Sequence, residues 1–201
     1  MKFNTDGPFF QFMGNLVSFT ALNLLFLLTC LPLFTIGTAI SSLFNTTLAY
    51  TENEDIPLAK TYLKNFRLNF KQSTAIFLIV VIAIAVISFN IAFWSKFDSI
   101  VAQPIVVILM TILIVIALIS ELLFPIAGHF QNSIKQIFKN TFLITFSNFF
   151  KVLLLLAIDA SALGIGYISQ FARVMFLIFG LAFIAYLKSF LIKEIFKKYA
   201  K

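Results

Sequence analysis

Ala75–Ser95 reads AIFLIVVIAIAVISFNIAFWS, and Ser99–Ser120 reads SIVAQPIVVILMTILIVIALIS. Neither stretch holds a charged residue, and each reaches the roughly 20 residues that a helix needs to cross a hydrocarbon core. Polar and apolar residues do not alternate with a period of two, as a barrel strand requires, so both stretches are read as transmembrane helices. Together they set the fold class as all-α, a polytopic helical membrane protein.

Working outward, the whole chain has the same bias. Of its 201 residues, 61% are hydrophobic and 11% charged, against about 25% charged in a soluble domain. No soluble domain is expected. The net charge of +7 comes from lysines and arginines lying beside the apolar runs, so anionic lipid headgroups are the expected partner and nucleic acid is not. Cys30 is the sole cysteine, which leaves neither an intrachain disulfide nor a thiolate metal site to build. Met1–Asn15 carries Lys2 and Asp6 without a small-residue cleavage pattern, so the first apolar segment is expected to remain in the mature protein.

Asp6-Gly7-Pro8 reads as a helix start, with an acidic cap and a proline in the first turn. The first span is expected over 16–34. Pro32 and Gly37 then interrupt the chain, Thr35 lies between them, and a second helix is expected over 38–50, extending toward 57. That helix is rich in Thr38, Ser41, Ser42, Asn45, Thr46 and Thr47, a composition suited to packing against other helices through small and hydroxyl side chains. A single straight helix over residues 16–50 would be about 52 Å long, which favours a hairpin. Further spans are expected at 75–95, 104–125, 152–168 and 173–190, six in all, with five as the alternative if 16–50 is one tilted helix.

Two amphipathic basic segments are expected between the spans, at 58–72 and 131–150. In the first, Lys60, Lys64, Arg67 and Lys71 recur at spacings of four, three and four beside an apolar stripe of Leu58, Tyr62, Leu63, Phe66 and Phe70. This is the pattern of a helix lying on an anionic membrane face, bending into a span near Asn69-Phe70-Lys71-Gln72. Lys60, Lys64, Arg67, Asn69, Phe70 and Lys71 are thus candidate lipid or partner contacts. In the second segment Lys135 and Lys139 stand beside Ile134, Ile137, Phe138 and Phe142. Basic residues alternate between dense and sparse connections: 51–74, 129–151 and the tail, with Lys188, Lys193, Lys197, Lys198 and Lys201, are dense, whereas Lys96 and Arg173 stand alone. The positive-inside rule then places both termini in the cytoplasm.

Pro32, Thr35 and Gly37 are read as a structural turn, since proline stops the hydrogen-bond ladder and glycine tolerates unusual dihedrals. Glu121, Asp159 and Arg173 are candidate intramembrane polar residues, because charge within a bilayer is costly and marks function by default. Their expected arrangement is two separate ion pairs at opposite faces, Glu121 with Lys135 or Lys139 and Asp159 with Arg173. A shared proton or cation site would need both carboxylates at one depth. His129 has no second His or Cys nearby to complete a metal site. No catalytic residue, metal or cofactor is expected: a phosphate loop, His-Glu-x-x-His and Gly-x-Ser-x-Gly are all missing from the sequence.

Leu22-Asn23-Leu24-Leu25, Leu31-Pro32 with Thr35-Ile36-Gly37, Phe66-Arg67-Leu68-Asn69-Phe70-Lys71-Gln72, and later Phe124-Pro125 and Lys139-Asn140 resemble the YesL, or DUF624, family of bacterial membrane proteins. Gly7-Pro8-Phe9-Phe10 extends the likeness to the N-terminus. This chain departs from the family in carrying phenylalanine where tryptophan is frequent, in keeping with its 27 Phe and one Trp. The resemblance implies an integral protein of the bacterial cell membrane, encoded beside ABC-type carbohydrate-uptake systems, with no assigned catalytic residue. Three expectations follow. The protein is an accessory or assembly component contacting a sugar permease, a small transporter acting as a homo-oligomer, or, least supported, an intramembrane enzyme.

Overall fold

From Leu58 to Trp94 the sequence contains neither glycine nor proline, so nothing stops the main-chain ladder. In the computed structural model, which describes residues 8–97, 99–130 and 132–199, this stretch is one continuous helix of 37 residues, about 55 Å long. The expected bend at Asn69–Gln72 does not occur. The basic segment and the span beyond it are one rod.

The helices in chain order are α1 (Pro8–Cys30), α2 (Ile36–Tyr50), α3 (Leu58–Trp94), α4 (Ala102–His129), α5 (Ile134–Ser147), α6 (Phe149–Ile168), α7 (Gln170–Met175) and α8 (Leu181–Phe196). A 3-10 turn at Leu33–Thr35 joins α1 to α2, and a π-helical segment at Phe176–Gly180 joins α7 to α8. Five helical segments are long and apolar enough to cross a membrane: Met13–Cys30, Leu58–Trp94, Ala102–His129, Phe149–Ile168 and Gln170–Phe196. α1 begins at Pro8, as the first-turn proline suggests, while Asp6 and Gly7 lie outside the described residues. Pro125 does not end α4, which runs on to His129.

α2 is the structural centre. At 15 residues it is about 22 Å long, shorter than a hydrocarbon core of about 30 Å, and other helices enclose it. Apart from Ser41, whose buried hydroxyl has no partner among the described residues, its hydroxyls satisfy themselves locally or bridge to neighbours. Ser42 and Thr46 donate back to main-chain carbonyls one turn earlier, Thr38 meets Thr74 of α3 at 2.9 Å, and Thr47 meets Ser189 of α8 at 2.7 Å. Each bond removes a polar group from an apolar surround at no cost in unpaired donors.

The turn before α2 is held by Thr35, whose hydroxyl donates to the carbonyls of Thr29 at 2.5 Å and Pro32 at 2.6 Å. Gly37 has a different role from the one expected. It lies inside α2 with ordinary negative φ, and a Cβ there would run into the Cβ of Phe77 and sit 2.8 Å from the Ser73 carbonyl. Gly128 of α4 matches it, since a Cβ would stand 2.6 Å from the Ser41 carbonyl. Both glycines let α2 approach its neighbours more closely than any side chain would allow.

Candidate functional site

Within α8 the run Leu181–Ile192 is apolar except for Lys188 and Ser189, and its helical periodicity turns Lys188 inward. Lys188 is 5% exposed, and its ammonium bonds two carboxylates, Glu121 of α4 at 2.7 Å and Asp159 of α6 at 2.6 Å. The Phe44 ring of α2 lies 5.6 Å from the same nitrogen, a distance at which the ring face attracts a cation. Two ion pairs at opposite faces were expected. Instead one lysine joins both acids.

Lys135 and Lys139, the partners expected for Glu121, are exposed on α5, and Arg173 is exposed on α7. Among the described residues Arg173 takes part in no salt bridge, and Lys151 pairs with Glu194. The sequence reading missed Lys188 because it was counted with the basic tail. The available signal was one lysine inside an apolar helix, the criterion already applied to Glu121 and Asp159.

The cluster borders a cavity of about 310 Å³, lined elsewhere by Phe26, Leu43, Phe124 and Leu181. With every group ionised, two carboxylates and one ammonium carry one excess negative charge. Glu121 is nearly enclosed, whereas the Asp159 side chain is 36% exposed. Pro125, one turn beyond Glu121, has no N–H and so leaves the Glu121 carbonyl without its usual helical donor.

Asn23 organises the other irregular region. Its amide donates to the carbonyls of Phe176 at 3.1 Å and Leu177 at 2.7 Å, and its oxygen accepts the Ala182 N–H at 2.9 Å. The π-helical segment shifts the ladder from four to five residues, and this one buried carboxamide serves groups displaced by the shift.

On α3, Lys60, Lys64, Arg67 and Lys71 all face outward, and among the described residues none forms a salt bridge. Tyr62 is fully buried, with its hydroxyl 2.5 Å from that of Thr29. Leu63, expected on the apolar stripe, is exposed instead, as is Phe70. Asn69 borders a polar recess with Gln72 and His129. The His129 ring packs against Phe130 and Phe196. No group of three or more His, Cys, Asp or Glu that could hold a metal occurs among the described residues.

Residues 19–91 match the model of the family described as "Protein of unknown function, DUF624". The match covers 73 of the 201 residues, so the likeness is to a segment of the chain. It takes in most of α1, the Pro32–Thr35 turn, all of α2 and α3 as far as Ile91. Asn23, both ends of the turn and the whole basic stripe therefore lie within the DUF624 match, while Glu121, Asp159 and Lys188 lie beyond it. No curated protein and no solved structure matches the chain.

Proposed function

We propose that the protein is a non-enzymatic accessory or assembly component of a carbohydrate-uptake system in a bacterial cell membrane, docking on an ABC-type permease through the basic end of α3. The observation that carries this reading is the stripe of Lys60, Lys64, Arg67 and Lys71, exposed along one face of a helix that continues rigidly into a span. A rigid helix presents its charges in a fixed pattern, which suits an acidic partner surface as well as anionic headgroups. The YesL-like motifs within and around the DUF624 segment support the carbohydrate link. In this reading both termini are cytoplasmic, and α2 completes a hairpin with α1 as a sixth, shielded membrane segment.

The test is affinity purification of the tagged protein from native membranes in mild detergent, with the variant Lys60→Glu, Lys64→Glu, Arg67→Glu, Lys71→Glu alongside. The expected result is a permease or its ATPase recovered with the native protein and lost with the variant. Recovery of the protein alone, as a defined oligomer, would sink the accessory role.

A second reading, a small oligomeric transporter, is favoured by the Glu121–Lys188–Asp159 cluster. Its excess negative charge can be balanced by one proton or one monovalent cation, and contact with the same lysine brings both carboxylates to the one depth that a shared ion site needs. Asp159→Asn distinguishes the two. A coupling role predicts a folded protein without flux in proteoliposomes, whereas a purely structural ion pair predicts a change in stability alone.

A further inference from the structure

Asn45 of α2 meets α3 and the corner between α4 and α5 around a cavity of about 380 Å³. That volume falls in the range of roughly 300–1,000 Å³ usual for small-molecule sites. Its character differs from that of the Lys188 cavity. Asn45, Asn69, Gln72 and Asn132 bring four carboxamides to one recess, His129 adds an imidazole, and among the described residues no acidic, lysine or arginine side chain lines it.

Two of the carboxamides are oriented by bonds within the protein. Asn45 donates through Nδ2 to the Gly128 carbonyl at 2.8 Å, and Gln72 donates through Nε2 to the Asn132 carbonyl. Each is left with a carbonyl oxygen as a ready acceptor. The side chains of Asn69 and Asn132 form no hydrogen bond with other described residues, so their donors and acceptors are both uncommitted.

We infer that this cavity binds a small neutral polyhydroxylated molecule, of the monosaccharide or polyol class. A hydroxyl both donates and accepts, and a carboxamide offers both functions in one plane, so neighbouring hydroxyls can be satisfied by a single Asn or Gln. An anion would meet the fixed oxygens of Asn45 and Gln72 with no cation among the described lining residues to offset them. A planar heterocycle would want an open aromatic face, but the His129 ring already packs on Phe196, with centroids 5.1 Å apart. Leu68 and Phe130 supply apolar wall for the C–H face of a sugar. The assignment stands on the cavity alone, and its failure leaves the docking role of α3 untouched.

The full chain is extracted into polymer nanodiscs, because glucoside and maltoside detergents would themselves occupy such a site. Glucose, xylose, mannitol, myo-inositol and glucose 6-phosphate are each presented at millimolar concentration, and binding is read by saturation-transfer NMR. At least one neutral polyol is expected to receive saturation, with the signal reduced fivefold or more in Asn69→Leu and again in Asn132→Ala. Asn69 makes no side-chain hydrogen bond with other described residues, and Asn132 lies in a connection, so both variants are expected to elute as the native protein does on gel filtration. The inference is overturned if no neutral polyol shows transfer above the Asn69→Leu variant. It is equally overturned if both folded variants retain the signal, or if glucose 6-phosphate binds more strongly than glucose.

Discussion

Replacing Lys188 by methionine removes the only cation contacting Glu121 and Asp159 among the described residues. Methionine fills a similar volume, so the loss is chiefly electrostatic. Two acids then share an apolar cavity, one of them with a side chain only 10% exposed. Removing one partner of a buried ion pair costs about 3–5 kcal/mol. For a chain of this size, with roughly 2–4 °C of melting temperature per kcal/mol, Lys188→Met should melt roughly 6–20 °C below the native protein. Asp159→Asn is a different perturbation: it keeps the Glu121–Lys188 bond, removes the excess negative charge and alters a side chain that is 36% exposed. Its cost should stay within about 1 kcal/mol. The triple variant Lys188→Met, Glu121→Gln, Asp159→Asn carries no buried charge and should recover most of the lost stability, because a neutral replacement of a buried ion cluster is often nearly neutral in energy. Thermal unfolding in nanodiscs, followed by fluorescence-detected gel filtration, ranks the variants. Equal melting of Lys188→Met and the native protein, or an Asp159→Asn loss as large as that of Lys188→Met, would refute the shared-cluster argument.

Close approach at the two glycines should be equally sensitive. Gly128→Ala places a methyl group 2.6 Å from the Ser41 carbonyl, and forcing α2 and α4 apart should cost about 1–3 kcal/mol, read as a lower melting temperature. Gly14→Ala, where a Cβ meets nothing within 4 Å, is the control and should melt as the native protein does. Asn23→Leu strands the carbonyls of Phe176 and Leu177 and the Ala182 N–H. It should cost about 1–3 kcal/mol per group left unpaired, and amide exchange should quicken first at Ala182.

The all-α, multi-span class was legible in the chain because it follows from local composition. Uncharged runs such as Ala75–Ser95 exceed what water can accommodate and match the thickness of a bilayer, whatever their neighbours do. The hydroxyl-rich character of 38–50 likewise announced a helix packed against other helices, and α2 is buried on nearly every side. Helix continuity was also local in origin, yet it was misread at Asn69–Gln72, where a change of polarity was taken for a change of direction. Polarity alone does not bend a helix that lacks proline and glycine.

Tertiary structure decided which distant residues meet. Glu121, Asp159 and Lys188 lie on three helices, with 29 residues separating the nearer acid from the lysine and 67 the farther. The sequence reading set the two acids at opposite faces, and neither their relative depth nor the rotation of each helix about its axis could be read from the chain. That rotation depends on packing, including the approach allowed at Gly37 and Gly128, and it turns Lys188 toward the two acids rather than toward water. The polar recess beside Asn69 has the same origin. Four carboxamides from α2, α3 and the α4–α5 corner are unremarkable one by one in the chain, and only the stacking of those elements around α2 brings them to one cavity.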